Sequence, residues 1–294
     1  MTYQVEVKNV SLKYKKFEAL KNISFKLEDQ KIYGLIGRNG AGKTSLLSIL
    51  SALREATEGV VTVSGEPLFE NAKVVEQIRL IYQKDYKDEY SKAGQLIKAS
   101  ARFSPNFDRE YAETLIKRFK LPKNRAANKL SKGMQSVLDV IIGLASRAPI
   151  TIFDEAYLGM DAPTRVTFYK ELLEEQARSP RIIILSTHLV SEMDYLFDEV
   201  LILKNGSLLL QEEYETLISK GVTITGGIKE VDEFIQGRRI LGSEQLGGTK
   251  AVRLYEEELE QLVAKAHEKG LDVGPISLQD LFIYLTEDEA EKVY

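Results

Sequence analysis

The run Gly37-Arg38-Asn39-Gly40-Ala41-Gly42-Lys43-Thr44-Ser45 constrains this chain more than any other stretch. Before it, residues 32–36 are continuously apolar, the pattern of a strand buried on both faces. After it, Leu46, Leu47, Ile49, Leu50 and Leu53 recur at helical spacing. Two glycines separated by four residues, then a lysine and a hydroxyl residue, match the loop that cradles phosphate groups. Placed between a buried strand and a helix, such a loop turns backbone N–H groups and a helix N-terminus toward an anion. Lys43 would reach the β- and γ-phosphates of a nucleotide, and Thr44 would hold Mg²⁺. The plain alternative is a glycine-rich turn with a solvated lysine, which leaves the strand and helix on either side unexplained.

Short apolar runs recur at residues 79–82, 150–153, 182–185 and 200–203, separated by stretches with helical periodicity. Buried strands alternating with helices indicate an α/β fold with a mostly parallel sheet. Residues 3–10 and 23–27 instead alternate with period two, as half-exposed antiparallel strands do. Asn205-Gly206 between two apolar runs signals a hairpin turn. Residues 85–130 lack strand signals and carry Tyr111, Leu115, Ile116 and Phe119 at helical spacing between Pro105 and Pro122, so a helical subdomain is expected over about 85–145. Beyond residue 221 short strands and helices alternate in an order that suits a small α+β domain of ferredoxin-like type. The expected division is therefore 1–220 and 221–294.

Composition removes whole classes of function. With 40 basic and 44 acidic side chains the net charge is −4, so no global positive field gathers nucleic acid, and none is expected as a partner. The chain has no cysteine and only two histidines, His188 and His267, which excludes a disulfide framework, a thiol nucleophile and a histidine-rich metal centre. No signal-peptide core opens the sequence and no apolar stretch is long enough to span a bilayer.

A phosphate loop of this kind needs a metal-binding carboxylate at the end of a neighbouring strand. The apolar residues 150–153 deliver Asp154 and Glu155 there. Asp154 would bind Mg²⁺ through water, and Glu155 would polarise an attacking water as general base. Alone, an apolar strand ending in Asp-Glu is more often a strand followed by a turn. A third element, Leu130-Ser131-Lys132-Gly133-Met134-Gln135, precedes an apolar helical pattern with Ser131 placed as N-cap. Alone it is an ordinary capped helix.

Taken in order, with Gln83 after one strand and His188 after another, these elements resemble the ATP-binding subunits of ABC transporters. The resemblance covers roughly residues 3–220 and implies ATP and Mg²⁺ as cofactors, with residues 37–45 all in contact with the nucleotide. It implies that Tyr14 stacks on adenine, Gln83 acts at the catalytic Mg²⁺ and contacts the membrane partner, and His188 contacts the γ-phosphate. Asp161 would communicate with an opposite subunit. It further implies a homodimer or heterodimer of ATP-binding subunits closing head to tail, each ATP lying between one phosphate loop and Ser131 and Gly133 of the other. Integral-membrane permease subunits would hold the pair at the cytoplasmic face of the cell membrane. Two departures stand out: Lys132 occupies a position where the family has glycine, and Ala156-Tyr157 follows Glu155 where the family has proline and threonine.

Residues 103–108 and 277–282 resemble ABC-2-type exporters, including those handling antimicrobial or amphipathic peptides. Two alternatives stay open: an importer subunit carrying a regulatory C-terminal domain, and an ABC ATPase without a membrane partner. A kinase or GTPase with a phosphate loop would leave the segment around Ser131, Asp161 and His188 unaccounted for.

Overall fold

A computed structural model describes residues 2–238, 240–256 and 259–287. The last residues of the expected C-terminal domain, 288–294, lie outside the described residues. The chain begins with β1 (Gln4–Tyr14), β2 (Phe17–Glu28), β3 (Ile32–Gly37), α1 (Lys43–Leu50), β4 (Glu58–Val63), β5 (Glu66–Pro67), α2 (Ala72–Val75) and β6 (Ile78–Tyr82). Next come α3 (Ala93–Ser100), α4 (Arg109–Arg118), α5 (Lys132–Ser146), β7 (Ile150–Asp154), α6 (Ala162–Arg178), β8 (Ile182–Thr187) and α7 (Val190–Met193). It continues through β9 (Glu199–Lys204), β10 (Ser207–Glu213), α8 (Tyr214–Ser219), β11 (Gly221–Gly227), α9 (Ile228–Phe234) and β12 (Ile240–Leu246). The final elements are β13 (Thr249–Tyr255), α10 (Glu260–Glu268), β14 (Asp272–Pro275) and α11 (Leu278–Thr286).

Two compact units result, one formed by Met1–His188 with Tyr195–Gln211 and the other by Leu189–Asp194 with Glu212–Tyr294. The dividing point thus lies nearer 212 than 221, and a short segment directly after His188 joins the second unit. In the first unit a six-stranded sheet runs β10-β9-β3-β8-β7-β6, with β3 parallel to both β8 and β9 and β7 parallel to both β6 and β8. All six residues of β3 and of β8 are buried, so their sequences are apolar or small throughout. A second sheet, β2-β1-β4-β5, is antiparallel along its length and shares a core with α1 and the parallel strands through Leu20, Leu27, Leu46, Leu47, Ile152 and Leu201. Gly59 opens the way for β4 to reach β1: a Cβ there would come within 2.4 Å of the Asn9 and Lys8 carbonyls.

Parallel strands with all their C-terminal ends on one side bring Gly37, Tyr82, Asp154 and Thr187 to the same edge of the sheet. Helices α3 to α5 form the helical part, and Ser131 caps α5 by accepting from the Met134 N–H at 3.3 Å. The far end of α5 is anchored through buried charges. Glu175 on α6, fully buried, accepts from Arg147 Nε at 2.8 Å and lies 3.5 Å from Arg181, which also donates to the Leu144 carbonyl at 3.2 Å. A buried carboxylate with cations and hydrogen bonds around it is tolerated; one without them would be costly.

The second unit carries the sheet β12-β13-β11-β14, antiparallel at each pairing, in the chain order β-α-β-β-α-β. Its own core gathers Val222, Ile224, Val231, Val252, Leu254 and Leu262.

Candidate nucleotide site

The loop after β3 turns through left-handed backbone at Gly40 (φ 82°) and Gly42 (φ 107°), a region that glycine enters without strain. At Gly42 space forbids a side chain as well, since a Cβ would meet Leu20 Cδ2 at 2.8 Å. Gly42 is also the N-cap of α1, and no side chain caps that end, so the first-turn N–H groups face outward as donors. Lys43 is buried, and its ammonium donates to the Gly37 carbonyl at 2.6 Å. Burial holds its pKa below the ordinary lysine value, while Glu155 and Asp154 oppose that shift. Asn39, Gly40, Gly42, Lys43, Thr44 and Glu155 line one cleft of about 300 Å³, with Phe17 at its rim.

Asp154 ends β7 opposite Tyr82 of β6 and Ser186 of β8. Burial pushes its carboxyl above the ordinary aspartate range and Glu155 adds to this, while Ser186, Thr44 and Lys43 pull it back. Glu155 sits in left-handed backbone (φ 49°), an uncommon conformation for a non-glycine residue. Its N–H donates to the Ser186 carbonyl at 3.3 Å, and its carbonyl accepts from the Leu158 N–H at 3.0 Å. The carboxylate meets His188 Nδ1 at 2.8 Å.

Gln83, Gly133 and Asp161 gather at the loop of residues 158–161, while Ser131 caps α5 one residue before Lys132. The Leu158 carbonyl accepts from both Gln83 Nε2 and Ser136 Oγ, each at 2.6 Å. Gly133 is in contact with the same loop, where a Cβ would come within 2.7 Å of the Gly159 carbonyl. Asp161 caps α6, accepting from the Thr164 N–H at 3.0 Å, and hydrogen bonds from the Thr164 hydroxyl and N–H keep its carboxyl below the ordinary range. The turn from Glu155 to Leu158 connects the two clusters.

The ABC transporter family model matches residues 20–158, from β2 through the phosphate loop, Gln83 and the segment around Ser131 to the end of that turn. An uncharacterized ABC transporter ATP-binding protein of Bacillus subtilis, YybJ, is 30% identical over 220 residues, which are 71% of this chain and 96% of that protein. The chain belongs to the ATP-binding subunits of ABC transporters. It thus binds and hydrolyses ATP within a transporter. Two relatives extend the match across nearly the whole chain at 26% identity. ABC transporter ATP-binding protein YtrB of Bacillus subtilis covers 95% of this chain and 97% of its own length. Nod factor export ATP-binding protein I of Sinorhizobium fredii covers 97% and 86%. A solved ATP-binding subunit of an ABC transporter superposes with a TM-score of 0.65 at 23% identity, covering 73% of this chain and 92% of that one. No helix among the described residues is long and apolar enough to cross a membrane.

Within this ATP-binding subunit Tyr14 lies at the end of β1, its hydroxyl 3.5 Å from Ser45 Oγ and its ring covered on one face by the Arg54 guanidinium 4.8 Å from the ring centroid. That arrangement is a cation–π contact, so Arg54 occupies one of the two faces on which a base could stack. Phe17, 64% exposed, is the aromatic that lines the cleft itself. Sequence reading missed Phe17 because a strand-start aromatic carries no sign of which cleft it borders. Ser136 was missed as well, and Tyr157 stood out only as a departure after Glu155, since their partners, the Leu158 carbonyl and Thr187, are set by tertiary register.

Proposed function

We propose that this chain is the ATP-hydrolysing motor of an ABC exporter for peptides, antimicrobials or other amphipathic compounds. In this reading two ATP-binding subunits close head to tail at the cytoplasmic face of the membrane, attached to integral-membrane permease subunits. The observation that carries the hydrolytic assignment is the position of Glu155, which lines the same cleft as Lys43 and Thr44 while its carboxylate is held 2.8 Å from His188. A base must lie within reach of the water it activates, and this carboxylate faces the space where a γ-phosphate would sit. Support for export comes from the resemblance of residues 103–108 and 277–282 to ABC-2-type exporters and from the near full-length match to a Nod factor export protein.

The residues present fit Mg²⁺. Thr44 and Asp154 offer hard oxygen donors close together, and among the described residues no group of three or more acidic or histidine side chains could hold a metal without help. Such a pair suits an ion that takes its remaining ligands from water and substrate phosphates. Bound there, Mg²⁺ would neutralise charge that develops on the phosphates during transfer. The phosphate loop's N–H groups and Lys43 bind and orient the nucleotide, Glu155 takes the proton of the attacking water, and His188 fixes the Glu155 carboxylate. Ser131 and Gly133, uncommitted to the cleft of their own chain, are read as completing the site of the opposing subunit, with Tyr14 beside the adenine and Gln83 and Asp161 relaying its state.

Replacing Glu155 with glutamine tests this directly. General-base catalysis is worth about 10²–10⁴ in rate. We expect Glu155→Gln to lower ATP turnover at least about 100-fold while ATP still binds, leaving a nucleotide-bound dimer on a sizing column. Turnover close to wild type would remove Glu155 from this role.

A further inference from the structure

We infer that Tyr157 is a positioning residue for the Glu155–His188 pair, acting through its hydroxyl on Thr187. This rests on the reading of Glu155 as general base and names the part that holds it in place.

Glu155 occupies left-handed backbone at φ 49°, and the residue after it, Ala156, is neither a ring that limits its neighbour's backbone nor a side chain with a hydrogen bond to give. The backbone of Glu155 is held by the Ser186 carbonyl and the Leu158 N–H, and a residue further along the loop adds to that hold. That residue is Tyr157. Its side chain is 1% exposed, and its hydroxyl hydrogen-bonds Thr187 Oγ1, the last residue of β8 and the residue immediately before His188. The ring packs edge-on against Tyr169 of α6, with centroids 6.3 Å apart. Tyr169 packs against Phe168, which in turn meets Phe153 edge-on at 5.5 Å. Asp154 and Glu155 are thus flanked in sequence by two aromatic residues, Phe153 and Tyr157, both braced on the same helix. Tyr157 lies in the loop after β7 and Thr187 at the end of β8, so their hydrogen bond clamps the loop bearing Glu155 to the strand end from which His188 follows.

A clamp of this type makes no contact with nucleotide, so it should act on the chemical step more than on binding. It also predicts coupling: once the hydroxyl of either partner is gone, removing the other changes little. The test uses the purified full-length chain, measuring ATP turnover and KM for wild type, Tyr157→Phe, Thr187→Val, the double variant and Thr187→Ser, with Glu155→Gln assayed beside them. The Phe variant keeps the ring in the core and removes one oxygen. We expect Tyr157→Phe and Thr187→Val each to lower kcat about tenfold with KM for ATP within about twofold. The double variant should be no slower than the slower single one, and Thr187→Ser should return to within about twofold of wild type. A Tyr157→Phe chain with wild-type kcat, beside an inactive Glu155→Gln chain, overturns the clamp and leaves the base in place. Losses that multiply in the double variant, or that appear in KM rather than kcat, also overturn it. Wild-type turnover in Glu155→Gln overturns the reading of the base, and the clamp with it.

Discussion

Asp139 is 2% exposed on α5 and receives a hydrogen bond from the Tyr86 hydroxyl at 2.6 Å, with the Lys84 ammonium 3.9 Å away. Burial pushes its carboxyl up to about 6, despite the opposing pull of Tyr86, Lys84 and Arg79. In the unfolded chain the same group titrates near 3.8. The folded protein therefore holds a proton that the unfolded chain releases between these values, and stability falls as pH rises through that window. It is full below the unfolded value and levels off above about 6, the total loss being of order 3 kcal/mol. Asp139→Asn cannot ionise and still offers Tyr86 an acceptor. Its stability relative to wild type should therefore rise by about that amount between pH 4 and pH 7, read as the difference in urea midpoints. A difference that does not change with pH would mean that Asp139 does not carry a buried charge at neutral pH. The aspartate itself was unremarked in the sequence, where one acid in an apolar helix pattern resembles an exposed position until its partners fold around it.

At the scale of elements, legibility followed from whether a signal was local. The phosphate loop, the buried strands β3, β7, β8 and β9, and the cap of α5 could all be read because apolar runs, glycine spacing and Ser131 act within a few residues of one another. The strand β4 was not read: its first residues are exposed and only two of its six are buried, so the pattern of period two is faint. The assembly of the site from distant loops was partly legible, as order along the chain, but its contacts were not. Gly133 illustrates the difference. In an exposed helical turn, Gly→Ala would be stabilising by about 1 kcal/mol. Here the new methyl would lie 2.7 Å from the Gly159 carbonyl, and backbone cannot step aside as a flexible side chain can. Gly133→Ala should therefore destabilise by about 1–3 kcal/mol and disturb the two hydrogen bonds that hold the Leu158 carbonyl. Thermal unfolding gives the sign, and a raised melting temperature would refute the close packing of α5 on this loop.

Across the whole molecule, the path of the chain between units matters more than the position of a boundary. A sequence division at 220 assigns Leu189–Asp194 to the ATPase, because the segment lies between two of its strands; by packing it belongs with Glu212–Tyr294. Helix α7 contacts α11 within that second unit, and Val190 and Met193 of α7 are almost fully buried. The segment begins at the residue after His188, and His188 itself contacts Glu155. Cutting the chain after Gln211 removes α11 and leaves α7 behind without that partner. Fully burying one such side chain is worth about 1.5–3 kcal/mol, so each of Val190 and Met193 that α11 covers would cost up to that amount when α11 is removed. For a chain of this size each kcal/mol lowers the melting temperature by about 2–4 °C. The truncated chain should therefore melt lower than the full-length chain, aggregate more readily and turn over ATP more slowly. Adding Val190→Ser and Met193→Gln to the truncated chain should restore solubility, since the uncovered face of α7 would then be polar. Equal melting temperature and equal turnover in the truncated and full-length chains would show that the α7–α11 contact contributes neither to stability nor to activity.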